Sequence, residues 1–137
     1  MATIILIGCS KSKLDHCATA RDFYQGPIFK KSLDAAEKLY PEAQIYVLSA
    51  KYGLVPIDQV ICPYDETLNG KPANHIKNWA AKVINQMKKL GIDPQNDNFI
   101  IFAGKNYRKY LALDNATNMF DGCKGIGHIL KKLKQLI

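Results

Sequence analysis

Three parts of the chain place a lysine among small residues, each directly after an apolar run typical of a buried strand. These parts are residues 8–13 (GCSKSK), 49–53 (SAKYG) and 103–107 (AGKNY). A lysine supplies a point charge for a phosphate or a carboxylate, and small residues expose backbone N–H groups to a ligand. One such segment is an ordinary polar turn. Three segments of the same composition favour one shared anion-binding site.

The side chains of these segments form the first set of candidate site residues. The predicted phosphate and substrate ligands are Ser10, Lys11, Lys13, Ser49, Lys51, Gly104 and Lys105. Lys51 is also a catalytic candidate. The GCSKSK segment lacks the second glycine of a Walker A sequence, and it does not match G-x-G-x-x-G. ATP and NAD are therefore not indicated, and no cofactor is predicted.

Cys9 lies within the first segment and is a candidate nucleophile. Lysines beside a thiol lower its pKa and increase its reactivity. No histidine has an obvious place next to Cys9, although His16 is the nearest along the sequence. A half-buried thiol that packs beneath the loop is the alternative interpretation, and thiol-based redox chemistry is a third.

An aspartate follows a proline and a tyrosine in residues 62–67 (CPYDET). Asp65 is a catalytic candidate, because a carboxylate acts as a general base or stabilises a cationic sugar transition state. The rings of Tyr52 and Tyr64 are candidates for stacking on a base. A plain turn, in which Asp65 caps the following segment, is the alternative interpretation.

The net charge of +7 comes entirely from the second half of the chain. Residues 1–65 carry seven basic and seven acidic residues, whereas residues 66–137 carry 12 basic and five acidic residues. This asymmetry indicates a polyanionic partner, DNA or RNA, or else a well-solvated lysine-rich surface. The predicted nucleic-acid contacts are Lys124, Lys131, Lys132 and Lys134.

The length of 137 residues is typical of a single domain, which we place at residues 1–137. No apolar run approaches the roughly 18 residues that span a membrane, and the first apolar run is too short for a signal peptide. We therefore predict a cytoplasmic protein without a membrane partner. Because no secretion signal is predicted, we expect reduced thiols and no disulfide. The four cysteines contain no CxxC pair, so we expect no metal site.

The elements that position these residues alternate between strands and helices. We predict strands at residues 2–8, 44–48 and 98–103. The sequence does not decide whether a further strand lies near 59–62. We predict helices from Pro27 to before Pro41, over 73–90 and over 127–136, with a short helix at 105–113. This order predicts one α/β domain with three layers, in which helices cover both faces of a mostly parallel central sheet.

Several blocks together resemble a family of small bacterial and phage proteins known only as a domain of unknown function. The blocks are residues 8–13, 20–24 (ARDFY), 26–29 (GPIF), 48–54 (LSAKYGL), 63–65 (PYD) and 103–104 with Tyr107. The resemblance covers nearly the whole chain, and residues 48–54 are its most specific part.

More distantly, that family is similar to the YaaA peroxide-stress proteins, which are implicated in DNA binding. The run from Cys9 to Lys13 also resembles the start of the catalytic domain of archaeosine synthase. That enzyme modifies a deazaguanine base in transfer RNA, and its domain is related to the uracil-DNA glycosylase-like α/β fold. The resemblance implies a cleft that faces a nucleobase or a nucleotide.

Two hypotheses follow from the sequence. The first is an enzyme that cleaves an N-glycosidic bond or modifies a base, acting on a nucleobase, nucleoside or nucleotide that is free or within DNA or RNA. The second is a non-catalytic protein that binds DNA or RNA through its basic C-terminal half. The two differ in whether changes at Asp65 and Lys51, or changes at the C-terminal lysines, abolish the activity.

Overall fold

A computed structural model describes residues 2–137 and has a five-stranded sheet at its centre. In chain order, the strands are β1 (Thr3–Gly8), β2 (Ala18–Thr19), β3 (Gln44–Ser49), β4 (Gly53–Pro56), β5 (Val60–Ile61), β6 (Asn98–Phe102) and β7 (Ala116–Asn118). The helices are α1 (Ala20–Phe23), α2 (Pro27–Leu39), α3 (Ala73–Lys89) and α4 (Ile126–Leu136), and a 3-10 turn occupies Lys105–Tyr107.

The strand order across the central sheet is β4-β3-β1-β6-β7, with β1 in the middle. β1 runs parallel to β3 and to β6, and β7 runs parallel to β6, whereas β4 is antiparallel to β3. β2 and β5 pair separately as a short antiparallel ribbon. The carboxyl ends of β1, β3 and β6 therefore lie at one edge of the sheet, where ligands bind in open parallel sheets.

Helices cover both faces of the sheet because the central strands are apolar on both sides. Ile4 and Leu6 of β1 pack on one face together with α3, and Ile5 and Ile7 pack on the other face together with α2. α4 lies beside α2. This arrangement confirms the predicted three-layer α/β fold with a mostly parallel sheet.

The boundaries of the two long helices agree with the signals in the sequence. Pro27 is in the first turn of α2, where the backbone N–H that proline lacks has no intrahelical partner. Gly91 follows α3 with a φ of 78°, and the N–H of Ile92 donates to the carbonyl oxygen of Met87 at 2.9 Å. The left-handed conformation of Gly91 and this hydrogen bond between residues five apart form a glycine C-cap, which ends α3. Trp79 of α3 is buried.

Several short parts of the fold differ from the predictions, which did not include β2, α1 or β7. Residues 53–56 form the edge strand β4, which was not predicted. The strand that the sequence left undecided near 59–62 exists as the two-residue strand β5. The helix predicted at 105–113 is absent, and only Lys105–Tyr107 form a 3-10 turn there. The apolar pattern of residues 126–133 predicts that Ile126 faces inward, but Ile126 is 67% exposed, whereas Ile129 and Leu133 pack toward the core.

Within residues 2–137, no helix combines the length and the apolar character required to cross a lipid bilayer.

Candidate functional site

A cavity of about 310 Å³ opens where β1 ends, at the carboxyl edge of the sheet. Three parts of the chain form it: residues 9–13, which we call the β1 loop; residues 65–69, which we call the acidic segment; and the 3-10 turn. The lining residues are Cys9, Ser10, Lys11, Lys13, Asp65, Glu66, Thr67, Asn69 and Tyr107. This volume is at the lower end of the roughly 300–1,000 Å³ typical of small-molecule sites.

The β1 loop is held in place by hydrogen bonds of Ser10. Its Oγ donates to the carbonyl oxygen of Ser12 at 2.6 Å and accepts from the N–H of Gly26 at 3.2 Å. A side chain at position 26 would collide with the loop, since an added Cβ would lie 2.8 Å from Ser10 Cβ. Ser10 therefore fastens the loop to the start of α2, and Lys11 and Lys13 extend from this anchored backbone.

Lys13 packs against an aromatic ring next to the cavity. Its Nζ lies 4.7 Å from the ring centroid of Tyr64, within cation–π range, and donates to the carbonyl oxygen of Lys11 at 3.4 Å. The Lys11 side chain is exposed. Since both lysines line the cavity, the β1 loop offers two positive charges to an anion.

The acidic segment brings negative charge to the same cavity. Asp65 and Glu66 are both exposed and belong to the lining. Thr67 Oγ1 accepts a hydrogen bond from the N–H of Asn69 at 3.1 Å, which forms a local turn. Across residues 2–137, no group of three or more metal-ligating side chains is placed to hold a metal ion. Lysines and carboxylates that share a cavity can bind an anion and transfer protons beside it.

Tyr64, the residue before the acidic segment, belongs to a network of buried, hydrogen-bonded hydroxyl groups. The Tyr64 hydroxyl lies 2.7 Å from the Tyr24 hydroxyl and accepts a hydrogen bond from Ser49 Oγ at 2.9 Å. Ser49 Oγ in turn accepts from the N–H of Tyr52 at 3.0 Å. Burial is the main reason why the pKa values of Tyr24 and Tyr64 lie well above the ordinary tyrosine value. Both phenols therefore remain protonated at neutral pH, and they fix the position of the residue before Asp65.

Cys9 and Tyr107 lie next to each other in the cavity. Cys9 is half-buried, and its N–H donates to the carbonyl oxygen of Leu48 at 3.1 Å. The Tyr107 hydroxyl accepts from the N–H of Leu68 at 3.2 Å. Burial, and next the proximity of Cys9, raise the pKa of Tyr107 to about 12. Tyr107 is thus a neutral hydroxyl at physiological pH, with a proton to donate to Cys9 or to a ligand.

Some of the predicted site residues lie outside the lining of this cavity, and they are Ser49, Lys51, Tyr52, Tyr64, Gly104 and Lys105. Ser49 is fully buried. Lys51 is exposed at the tip of the hairpin between β3 and β4, and Gly104 and Lys105 are exposed after β6. β3 turns directly back into β4. The residues that follow β3 therefore do not line the cavity, whereas the β1 loop does.

The two tyrosines predicted to stack on a base make contacts within the protein. Tyr64 is 8% exposed, and its ring packs against Phe23 and Tyr52 as well as Lys13. The Tyr52 hydroxyl donates to the carbonyl oxygen of Cys62 at 3.2 Å. In this structure both rings support the backbone that leads into the acidic segment.

Cys17 and Cys62 form a disulfide, so the prediction of reduced thiols without a disulfide is wrong for this pair. Ala18 of β2 lies opposite Ile61 of β5, and this pairing brings the flanking cysteines together. The bond links the chain that follows the β1 loop to the chain that precedes the acidic segment. Cys9 and Cys123 are free thiols.

The lysines predicted to contact nucleic acid lie on or just before α4. Lys131 and Lys132 line a second groove, of about 500 Å³, together with His128. Lys124 and Lys134 are exposed. This groove shares no lining residue with the cavity at β1, so the two sets of candidate residues form separate surfaces.

Four lining residues were not among the predicted site residues. Glu66 and Thr67 directly follow Asp65 in residues 62–67 (CPYDET), so the cluster that indicates Asp65 also contains these two lining residues. Tyr107 lies in the third lysine-bearing segment and among the blocks of the family resemblance, but its side chain carries no charge that would indicate an anion ligand, whereas that of Lys105 does. For Asn69, the sequence indicates only a turn and no role in binding.

Comparison with known proteins gives a family but no described activity. No curated protein and no solved structure matches the chain significantly. The model of DUF6884, described as a family of unknown function, matches residues 4–135 and thus nearly every element of the fold. The expected membership of a family without a known function is confirmed: the chain belongs to the family of unknown function DUF6884.

Proposed function

We propose that the protein is an enzyme that acts on a nucleobase, nucleoside or nucleotide, by N-glycosidic cleavage or by modification of the base. The observation that carries the proposal is the cavity lined by Lys11 and Lys13 together with Asp65 and Glu66. The lysines suit a phosphate, and a carboxylate beside them suits acid–base chemistry on the attached sugar or base. The resemblance of the β1 loop to a base-modifying domain supports the same substrate class.

The size of the cavity limits the part of a substrate that it can enclose. A volume of about 310 Å³ suits one base with its sugar. Lys11 is exposed at the cavity, and we place the phosphate there and at Lys13. Tyr107, neutral and partnered by a backbone N–H, offers its hydroxyl proton to a polar atom of the ligand.

For N-glycosidic cleavage, Asp65 accepts a proton from a water molecule whose oxygen forms a bond to sugar C1′. The bond between C1′ and the base nitrogen breaks, the base leaves with the electron pair, and Asp65 passes on to the base the proton that it took from the water. Water is the only co-reactant, and the products are the sugar phosphate and the free base. The carboxylate also stabilises the positive charge that develops on the sugar in the transition state.

The test is a chromatographic scan for released or altered bases after incubation with nucleotides, with DNA and with RNA. We expect a new base peak from the wild type and a rate at least about 100-fold lower from Asp65→Asn, because the amide keeps the shape but cannot accept the proton. Asp34→Asn, at an exposed aspartate of α2, is the matched control. Full activity of Asp65→Asn, or no altered base from any substrate, would refute the proposal.

A non-catalytic DNA- or RNA-binding protein is the second candidate function, favoured by the exposed lysines at and before α4. It predicts binding that weakens steeply with salt and is lost when Lys131, Lys132 and Lys134 are changed together. It also predicts no altered base in the chromatographic scan.

A further inference from the structure

The exposed side of α3 carries basic residues and no acidic ones. Residues 67–92, which contain the whole helix, include five lysines and neither aspartate nor glutamate. Four of these lysines are exposed within the helix, namely Lys77, Lys82, Lys88 and Lys89. The apolar side of α3, which includes Trp79, faces the sheet. The helix therefore presents to solvent a surface with four lysines and no carboxylate of its own.

The turn after β6 extends this surface. Residues 98–113 contribute Lys105, Arg108 and Lys109 and no acidic residue, and α3 packs against the 3-10 turn. Lys82 Nζ donates to the carbonyl oxygen of Lys51 at 2.9 Å, which places the hairpin tip on the same side. We call α3 together with residues 105–110 the α3 face.

A tyrosine lies between two lysines of the α3 face. The ring centroid of Tyr110 is 5.3 Å from Lys77 Nζ and 5.2 Å from Lys109 Nζ. The tyrosine is 36% exposed. Cations around an accessible aromatic ring are typical of surfaces that bind single strands, where phosphates contact the cations and bases contact the ring.

The α3 face continues to the cavity at β1. Asn106 Nδ2 donates to Asn69 Oδ1 at 3.1 Å, and Asn69 lines the cavity together with Tyr107 of the same turn. A strand that lies along the α3 face therefore passes the cavity, where an unpaired base can enter. Enzymes that act on a base within a strand require such an unstacked base.

Other polyanionic partners fit the α3 face less well. A helix that binds an acidic membrane exposes large apolar residues along its contact side. The exposed residues of α3 are polar or alanine. α4 lies on the opposite side of the sheet, and its Lys131 and Lys132 line a groove that also contains Asp121.

We propose that the α3 face binds the sugar–phosphate backbone of a single-stranded nucleic acid, so that the cavity receives a base from within a strand. The claim about the cavity rests on the proposed function, whereas the claim about binding does not.

The test compares three triple charge reversals by fluorescence anisotropy, with a fluorescein-labelled DNA strand of about 16 nucleotides. Lys77→Glu, Lys82→Glu and Lys109→Glu change the α3 face. Lys131→Glu, Lys132→Glu and Lys134→Glu change α4. Lys30→Glu, Lys31→Glu and Lys38→Glu change α2. All three variants lower the net charge equally, and circular dichroism verifies that each is folded.

We expect the α3 variant to bind at least about tenfold more weakly, while the other two bind within about twofold of the wild type. Each phosphate contact of a single strand contributes about 0.7 to the slope of log affinity against log salt. The slope of the α3 variant should therefore fall by about 2. If this variant unfolds, Lys77→Glu against Lys30→Glu provides the same comparison with a loss of about threefold.

Equal losses in all three variants would overturn the proposal, because they would show a general charge effect. A loss confined to the α4 variant, or tighter binding to a duplex or to anionic vesicles than to the strand, would also overturn it. Turnover of free nucleotides without strand binding would refute this inference alone. Strand binding through the α3 face without any altered base would support the surface and refute the proposed activity.

Discussion

The hydroxyl oxygens of Tyr24 and Tyr64 lie 2.7 Å apart in the interior of the protein. Ser49 donates to the same Tyr64 oxygen, so the Tyr64 hydroxyl group connects the end of β3, the chain before α2 and the residue that precedes the acidic segment. Removing the Tyr64 hydroxyl oxygen would leave the buried hydroxyl groups of Tyr24 and Ser49 without that hydrogen-bond partner. A buried polar group without its partner lowers the stability of the folded protein.

We therefore expect Tyr64→Phe to lower the free energy of unfolding by about 1–3 kcal/mol. Urea denaturation, followed by the fluorescence of the buried Trp79, measures the loss. Tyr110→Phe, at an exposed tyrosine, should stay within about 0.5 kcal/mol of the wild type. A similar loss in both variants would contradict the assigned role of the buried hydroxyl group.

The buried tyrosines should make the folded protein sensitive to alkali. The pKa values of Tyr24 and Tyr64 are raised mainly by burial, and that of Tyr107 is raised to about 12, whereas a tyrosine in the unfolded chain has a pKa of about 10. The stabilisation is thus complete below about pH 10 and is lost as the pH rises further, because only the unfolded chain then releases these protons.

The free energy of unfolding should fall by up to about 1.4 kcal/mol per pH unit for each buried tyrosine between about pH 10 and 12. Urea midpoints measured across this range give the slope. Tyr107→Phe should reduce the slope, and Tyr110→Phe should leave it unchanged. A flat profile above pH 10 would contradict the raised pKa values.

The disulfide should contribute to stability through the unfolded chain. It closes a loop with a sequence separation of 45 residues, and loops of this kind stabilise by about 2–4 kcal/mol. We expect Cys17→Ser to lower the free energy of unfolding by that amount, and a reductant to do the same to the wild type. Cys123→Ser changes a free thiol, so its response to the reductant should equal that of the wild type. A reductant effect that persists in Cys17→Ser would point to another cause.

Gly26→Ala should displace the β1 loop, because the added Cβ would lie 2.8 Å from Ser10 Cβ. We expect a loss of about 1–3 kcal/mol in thermal unfolding, as for other overpacked sites. Gly127→Ala is the control, since nothing lies within 4 Å of its added Cβ and alanine favours a helix by up to about 1 kcal/mol. Adding Ser10→Gly to Gly26→Ala should recover part of the loss, and failure to do so would place the strain elsewhere.

The central strands and the long helices could be predicted because burial leaves a direct pattern in the sequence. β1 is buried on both sides and reads as a continuous apolar run, and α3 shows one apolar stripe that ends at a glycine. β4 and β7 left no such pattern, since β7 is only three residues long (ATN) and each pairs with a single neighbour.

The candidate site could be predicted where it depends on local sequence and not where it depends on tertiary pairing. The β1 loop lines the cavity because it directly follows β1, whose position the sheet topology fixes. Asp65 comes after β5, which pairs with β2 outside the central sheet, so the sheet topology does not predict its place beside the β1 loop. The place of Tyr107 depends on the orientation of a 3-10 turn. The Cys17–Cys62 bond depends on the pairing of two strands of two residues each, which is too short to be recognised in a sequence.

That bond also gives the molecule a covalent ring with two tails. β2, α1, α2, β3, β4 and β5 all lie between its two cysteines, whereas the central strand β1 and everything from α3 onward lie outside. A protease that cuts the ring once would leave the two pieces joined, and they would separate on a gel only after reduction. The migration of nicked protein with and without reductant therefore reports the bond without any substitution.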